Sequence, residues 1–322
     1  MITQALAGIH ILEVATYLPG PICTQVLAGM GARVTKVSRV GGDPLLTLQP
    51  LDAAYGLLND GKTELEVDLR SVEGAALLRS LAAEADVLVD GLRPGALARM
   101  GLGAEVLRTL NPRLIYCGLS GFSSDSPDRD RGGHDLDFEA LSGLLATTSV
   151  AGTPALPGTP LADMASGLTA ATAILAALYL RTQTGVGATL EAPMLGAARW
   201  LMMPWYAVEQ ARPGERLLTG ERAYYRVYAT ADGRHLAVAA LEPHFWGRFC
   251  TVLGREDLIA RQYEADQERL AQDVAQIVAG RTLADWQAAL AGVDACVNPV
   301  LSLGEAAAAN GPLRMDLPIR EL

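Results

Sequence analysis

At 322 residues, half of them hydrophobic, 19% charged and 5% aromatic, the chain has an ordinary globular composition and length enough for one large domain and a smaller one. Its net charge of −10 leaves no surplus of cations to displace phosphate counterions, which excludes general nucleic-acid binding. An anionic ligand must then be held by individually placed arginines or helix N-termini, not by the field of the whole molecule.

Residues 8–36 read as strand, turn, helix and strand. The run 9–14 is rich in β-formers, LPGP (18–21) makes the turn, 24–30 is helical up to Gly31, and 32–37 resumes a strand. A second unit follows, with strand 64–69, helix 71–85 opened by Ser71 as N-cap, and strand 86–89. Helix 104–110 then leads to strand 113–119. This alternation predicts an α/β, Rossmann-like large domain built on a parallel sheet. Asp163 stands as N-cap before the strongest helical pattern, 164–181, where Leu168, Ala171, Leu175, Leu178 and Tyr179 recur at helical spacing. The apolar stretch 167–180 is shorter than the ~20 residues a bilayer requires, so a buried helix is expected and no membrane partner. The apolar run 189–201 also reads as helix. Near Leu217 the texture changes. Alternating runs 224–230 and 235–241, joined by ADGR (231–234), signal a hairpin, followed by amphipathic stretches 242–253, 267–279 and 283–290. The expected division is a large domain over 1–200 and a smaller α+β domain over 201–310 containing the hairpin 224–241. Residues 311–322 are expected to return to the large domain.

Cys23, Cys117, Cys250 and Cys296 lie far apart with no CxxC spacing, which predicts reduced thiols in a cytoplasmic protein and no metal site. The N-terminus has no basic segment ahead of a long apolar one, so no signal peptide is expected. The first βαβ unit lacks GxGxxG and carries Ser38 and Arg39 where an NAD site wants an acid. Arg39 suits a phosphate-bearing ligand, or equally a solvated surface. His134, in GGHD (132–135), is readable as a general acid/base with Asp135 or Glu242 as its orienter. It is also readable as a structural residue in a glycine-rich turn, and Glu242 as a helix N-terminal charge. Asp163 combines a cap with a possible acid/base role, because N–H donors at a helix start can stabilise an enolate forming beside it. GLSGF (118–122) is not a nucleophile elbow. The run WLMMPW (200–205) suits either an acyl pocket or plain core.

Several segments in order carry a resemblance: GIHILEV (8–14) with LPGP (18–21), VSRVGGDP (37–44), LEVDLR (65–70), ADVLV (85–89) with LRPG (92–95), and NPRLIY (111–116). Together they resemble the family III (CaiB/BaiF) CoA-transferases over nearly the whole chain. GHDLDF (133–138) is similar to the Gly-His-Asp segment of the alpha-methylacyl-CoA racemase-like branch, where transferases carry Tyr-Asp. LAD (161–163) matches the acidic position of both branches, and ALEP (240–243) the segment whose Glu supports the histidine. NDGK (59–62) departs from the family's Asn-Arg-x-Lys.

The resemblance implies an isomerase that epimerises 2-methyl-branched acyl-CoA thioesters through an enolate. His134 and Asp163 would act as acid and base, Glu242 as orienter and Asp135 as assistant. It implies Arg39, Arg70, Arg93, Arg99 and Met100 as holders of the CoA phosphates and adenine, with CoA part of the substrate and no bound cofactor. The alternatives are CoA transfer with Asp163 as covalent nucleophile, and a non-catalytic acyl-CoA-binding subunit. Family members form interlocked homodimers and a homodimer is expected here, although an end at Leu322, earlier than typical members, could weaken that closure.

Overall fold

A computed structural model describes residues 2–150 and 153–311. The expected return of 311–322 to the large domain therefore lies, past Gly311, outside the described residues. Packing divides the chain into one compact unit ending at Trp205 and a second beginning at Tyr206.

In the first unit, β1 (His10–Val14), α1 (Pro19–Gly29), β2 (Arg33–Ser38), α2 (Tyr55–Asn59) and β3 (Thr63–Glu66) are followed by α3 (Val72–Glu84), β4 (Val87–Asp90), α4 (Ala96–Arg99), α5 (Ala104–Leu110) and β5 (Ile115–Ser120). Then come α6 (Asp135–Leu141), a small ribbon of β6 (Ser149–Val150) and β7 (Thr153–Pro154), α7 (Leu161–Thr184), β8 (Thr189–Pro193) and α8 (Met194–Leu201). Six strands form one sheet in the order β3-β2-β1-β4-β5-β8, and every pairing is parallel. The run 189–193, expected to be helical, is the sixth strand: Thr189 lies beside Tyr116 and Pro193 beside Ser120.

The central strand β1 is buried along its whole length, whereas the edge strand β3, TELE, is largely exposed. The exposure of β3 was written in the residues, since an edge is protected by charge, whereas β1 buries His10 and Glu13 among its apolar side chains. Side chains alternate between two cores. Ile11, Val87, Val89, Ile115 and Cys117 pack against α1 and α7, while Leu12, Val14, Leu88 and Tyr116 pack with residues of α3 and α5.

Helix α7 has 24 residues and is long and apolar enough to cross a bilayer by length and composition, longer than its sequence pattern indicated. Here it is a core helix: Ala170, Ala171, Ile174, Ala177 and Leu178 are buried, with Leu168 and Tyr179 outside. Its buried side is made of small residues because α1 approaches closely. A Cβ on Gly167 would stand 2.8 Å from Ile22 Cγ2 and from Pro19 O. At its far end the buried Arg181 pairs with Asp86 at 2.8 Å and donates to the Arg113 carbonyl.

The second unit takes up most of α9 (Met203–Ala211) and holds β9 (Tyr225–Ala229), β10 (His235–Ala239), α10 (Pro243–Leu253), α11 (Gln267–Val278), α12 (Leu283–Leu290), β11 (Val297–Pro299) and α13 (Leu303–Asn310). The hairpin is present, with His235 opposite Ala229, and β11 adds antiparallel to β10. Trp246, Phe249, Val274 and Trp286 centre its core. Both indoles satisfy their N–H groups, on the carbonyls of Leu258 and Val278.

Candidate functional site

In the first unit the strand order reverses between β1 and β4, so the segments leaving their carboxyl ends diverge and open a crevice. Thr16 and Tyr17 leave β1; Gly91, Leu92 and Arg93 leave β4. The two exits meet at Ala15. A Cβ on Gly20 would lie 2.2 Å from the Ala15 Cβ, and one on Gly91 2.7 Å from it, which is why glycine stands at both places. Two cavities open at this edge, of about 730 Å³ and about 650 Å³. Thr16, Leu92 and Arg93 line both.

The larger cavity brings together all five residues expected to hold CoA: Arg39, Arg70, Arg93, Arg99 and Met100. Arg39, Arg70 and Arg93 follow the ends of β2, β3 and β4, Arg99 ends the short α4 and Met100 follows it. Arg39 Nε donates to the Gly42 carbonyl at 3.2 Å, and the Arg70 backbone N–H donates to Asp68 Oδ1 at 3.0 Å. Four guanidinium groups beside Val14, Val37 and Met100 form a local cationic shelf with an apolar floor on a chain whose net charge is −10. Such a shelf suits a ligand with phosphates at one end and a flat apolar ring at the other. Lys62, the cation retained in NDGK, is not part of it. Its buried ammonium is 2.8 Å from Glu13 Oε2 and donates to Pro21 O and Asn59 Oδ1.

The smaller cavity is lined by both His134 and Asp163, with Tyr17, Ser120, Asp137 and Met194 among its other walls. His134 precedes α6. Its backbone N–H donates to Asp137 Oδ2 at 2.9 Å. Gly133 before it is obligatory, because a Cβ there would lie 2.7 Å from the buried Phe138 ring.

Asp163 is not the N-cap of its helix. The helix begins two residues earlier, at Leu161, and Pro160 provides no side-chain cap. The cap comes from α6. Asp135 Oδ1 accepts from the N–H groups of Ala162 at 2.8 Å and Asp163 at 3.1 Å, and Glu139 Oε1 accepts from Leu161 at 3.3 Å. Met164 N–H donates to Pro160 O. This corrects the expectation that N–H groups at the start of this helix stabilise an enolate, because the first turn's donors are already engaged. Asp135, expected to assist in orienting His134, instead bonds the helix terminus, and it is not among the cavity's walls.

The same arrangement sets the protonation of Asp163. Burial raises its carboxyl, and the charges of Asp135 and Glu139 raise it further, to about 7. Glu139, buried and hydrogen-bonded to Asp135, is likewise raised to about 7 by burial and by that neighbour, against the Leu161 N–H. A carboxyl at about 7 populates both its acid and base forms at neutral pH, as a proton shuttle requires.

Glu242 belongs to the second unit, where it is the N-cap residue of α10 with no side-chain cap bond. Ser120 Oγ donates to the Phe122 carbonyl at 2.7 Å, a structural bond in keeping with its rejection as a nucleophile. WLMMPW is not plain core, and it lines neither of these two cavities. Trp200 is 73% exposed while Met202 is buried, because α8 turns Leu195, Ala197 and Ala198 inward. Two contributors were missed in the sequence, Glu139 and Tyr17. Glu139 was findable, since it lies four residues after Asp135 and so on the same helix face. Tyr17 carried no sequence signal, because its backbone conformation is set by a distant carboxylate.

The description "CoA-transferase family III" matches residues 6–314. The chain is 37% identical over 313 residues to an alpha-methylacyl-CoA racemase of Homo sapiens, covering 94% of this chain and 79% of that protein. It is 33% identical over 299 residues to a succinate–glutarate CoA-transferase of Agrobacterium fabrum, covering 86% and 74%. Among solved structures, a CaiB/BaiF family protein from Brucella suis superposes with a TM-score of 0.84 at 26% identity, covering 99% of this chain and 93% of that one.

Proposed function

The chain belongs to CoA-transferase family III, and from that premise we propose that it epimerises 2-methyl-branched acyl-CoA thioesters. One of His134 and Asp163 removes the α-proton, the C–H electron pair moves into the thioester as an enolate, and the other returns a proton to the opposite face. The observation that carries this reading is that the two side chains line one cavity, with Asp163 balanced between its forms at about 7. The CoA portion lies on the arginine shelf, phosphates on Arg39, Arg70, Arg93 and Arg99 and adenine against Met100, and enters as part of the substrate. The similarity to a racemase supports the same reading. We further propose a cytoplasmic homodimer, on the strength of four free cysteines and of exposed apolar side chains such as Tyr179 on α7 and Trp200 on α8.

The similarity to a succinate–glutarate CoA-transferase favours a second reading. In it the Asp163 carboxylate attacks the thioester carbonyl, expelling CoA thiolate and leaving a mixed anhydride. The thiolate then attacks the Asp163 carbonyl, releasing the first acid and leaving an aspartyl-CoA thioester. The same steps in reverse with a second carboxylate yield its CoA thioester and free Asp163. Incubation with a 2-methylacyl-CoA in D₂O, without an acceptor acid, separates the two. Deuterium at the α-carbon is the expected result. Exchange of CoA into added carboxylic acids, with hydroxylamine trapping an Asp163 adduct and no α-deuterium, overturns it in favour of transfer. Tight binding with neither reaction leaves an acyl-CoA-binding subunit.

A further inference from the structure

Tyr17 and Cys296 are the two non-glycine residues with positive φ among the described residues, at 63° and 52°. An aromatic side chain disfavours this left-handed region, so something must hold it there. The Tyr17 N–H donates to Asp43 Oδ1 at 3.2 Å, and the same oxygen accepts from Leu45 N–H at 3.0 Å. The other oxygen of this buried carboxylate lies 3.0 Å from Lys36 Nζ, which also pairs with Glu13 at 2.6 Å. A buried ion network reaching from β1 and β2 therefore anchors the strained turn.

The strain has a consequence in the cavity. The Tyr17 ring stands edge-on to the His134 imidazole, with centroids 6.1 Å apart and planes at 88°. The backbone at 134 is fixed by Asp137 and by Gly133 against Phe138, but neither contact sets the side-chain torsions of the imidazole. Both residues line the smaller cavity. We propose that Tyr17 is a positioning residue, whose ring, held by the Asp43-anchored turn, sets the direction in which His134 reaches the substrate. This rests on the reading of His134 as an acid/base.

The test uses Tyr17→Gly, Tyr17→Leu and Tyr17→Phe in the full chain, with His134→Ala in parallel. Glycine suits the positive φ, so Tyr17→Gly removes the ring while relieving the turn. Expected are a kcat for α-deuterium exchange lowered about ten-fold in Tyr17→Gly and Tyr17→Leu, with KM within about three-fold, and recovery of most of that loss in Tyr17→Phe. The His134 Hε1 resonance, assigned by its disappearance in His134→Ala, should move in the first two variants and stay near its place in the third. Full exchange in Tyr17→Gly and Tyr17→Leu alongside an inactive His134→Ala overturns this inference alone. Full exchange in His134→Ala overturns the acid/base reading instead, and the resonance still decides whether Tyr17 orients the ring. An unmoved resonance in Tyr17→Leu sinks the positioning role either way.

Discussion

Two carboxylates in the first unit answer burial in opposite ways. Glu13, on the central strand, has no exposed surface, and burial alone would raise its carboxyl. The ammonium groups of Lys62 and Lys36 overcome that and hold it below its ordinary range. Asp163 keeps some exposure, yet it stands at about 7, because burial is reinforced by Asp135 and Glu139 where Glu13 has cations. Depth therefore does not decide the protonation state; the sign of the neighbours does. The first carboxylate is fixed as a charge and serves the fold. The second is left undecided, a condition unfavourable for stability and suited to moving protons.

The largest effect that sharpens this contrast is at Asp163 itself. Asp163→Asn should lower α-deuterium exchange by about 10²- to 10⁴-fold, the range removed with a general acid/base. The same variant should be more stable than the wild type, in a way that depends on pH. A carboxyl raised in the folded state stabilises below its unfolded value, and that contribution is lost as pH rises through about 7. Asparagine escapes the loss. Thermal melts should show the variant ahead by up to about 3 kcal/mol at pH 8, with the gap closing toward pH 4. A variant that is inactive and no more stable at pH 8 would break the contrast.

Around Glu13 the prediction runs the other way. Lys36→Met leaves buried Glu13 with the Lys62 ammonium and takes from buried Asp43 the ammonium it pairs with. Removing one partner from a buried charge network costs about 3–5 kcal/mol, read as a lower urea midpoint at neutral pH. Because Glu13 is depressed in the folded state, its contribution is present above its unfolded value and lost as pH falls through its folded one. The wild type should therefore lose stability on acidification, and Lys36→Met should lose less. Equal acid sensitivity in both proteins would show that the network does not govern Glu13.

Much of this was legible in the residues. The βα alternation over 8–119 gave the parallel sheet, and all five residues assigned to CoA meet in one cavity because Arg39, Arg70 and Arg93 follow strands and the short α4 after β4 brings Arg99 and Met100 beside them. The shared cavity of His134 and Asp163 was likewise expected. What was not legible depends on contacts between distant segments. The start of α7 is set by Asp135, 27 positions away from the Ala162 N–H it accepts, and Asp163 as a local N-cap was the best that sequence neighbours allowed. Residues 189–193 look helical beside α8 but are drawn into the sheet by pairing with β5, a tertiary preference that overrides local propensity. The outward face of Trp200 is invisible to hydropathy alone.

The finest probe of the comparison is Glu139. If the charge around Asp163, and not its depth alone, holds its proton, then Glu139→Gln removes one of the two anions that raise it. The carboxyl should fall from about 7 but stay above the ordinary range, because burial and Asp135 remain. The sign is readable in kinetics. For the epimer whose α-proton Asp163 removes, the ionised form is needed, so the rate falls as pH drops below about 7; for the other epimer, which needs the acid, it falls as pH rises above about 7. Glu139→Gln should shift both limbs to lower pH, by roughly half to one unit, and change the optimum rate by less than about three-fold. Glutamine can still accept from the Leu161 N–H, so the helix start is kept and the charge alone is tested. Limbs that stay in place would mean that Asp163 owes its balance to burial, and the contrast with Glu13 would lose its electrostatic half.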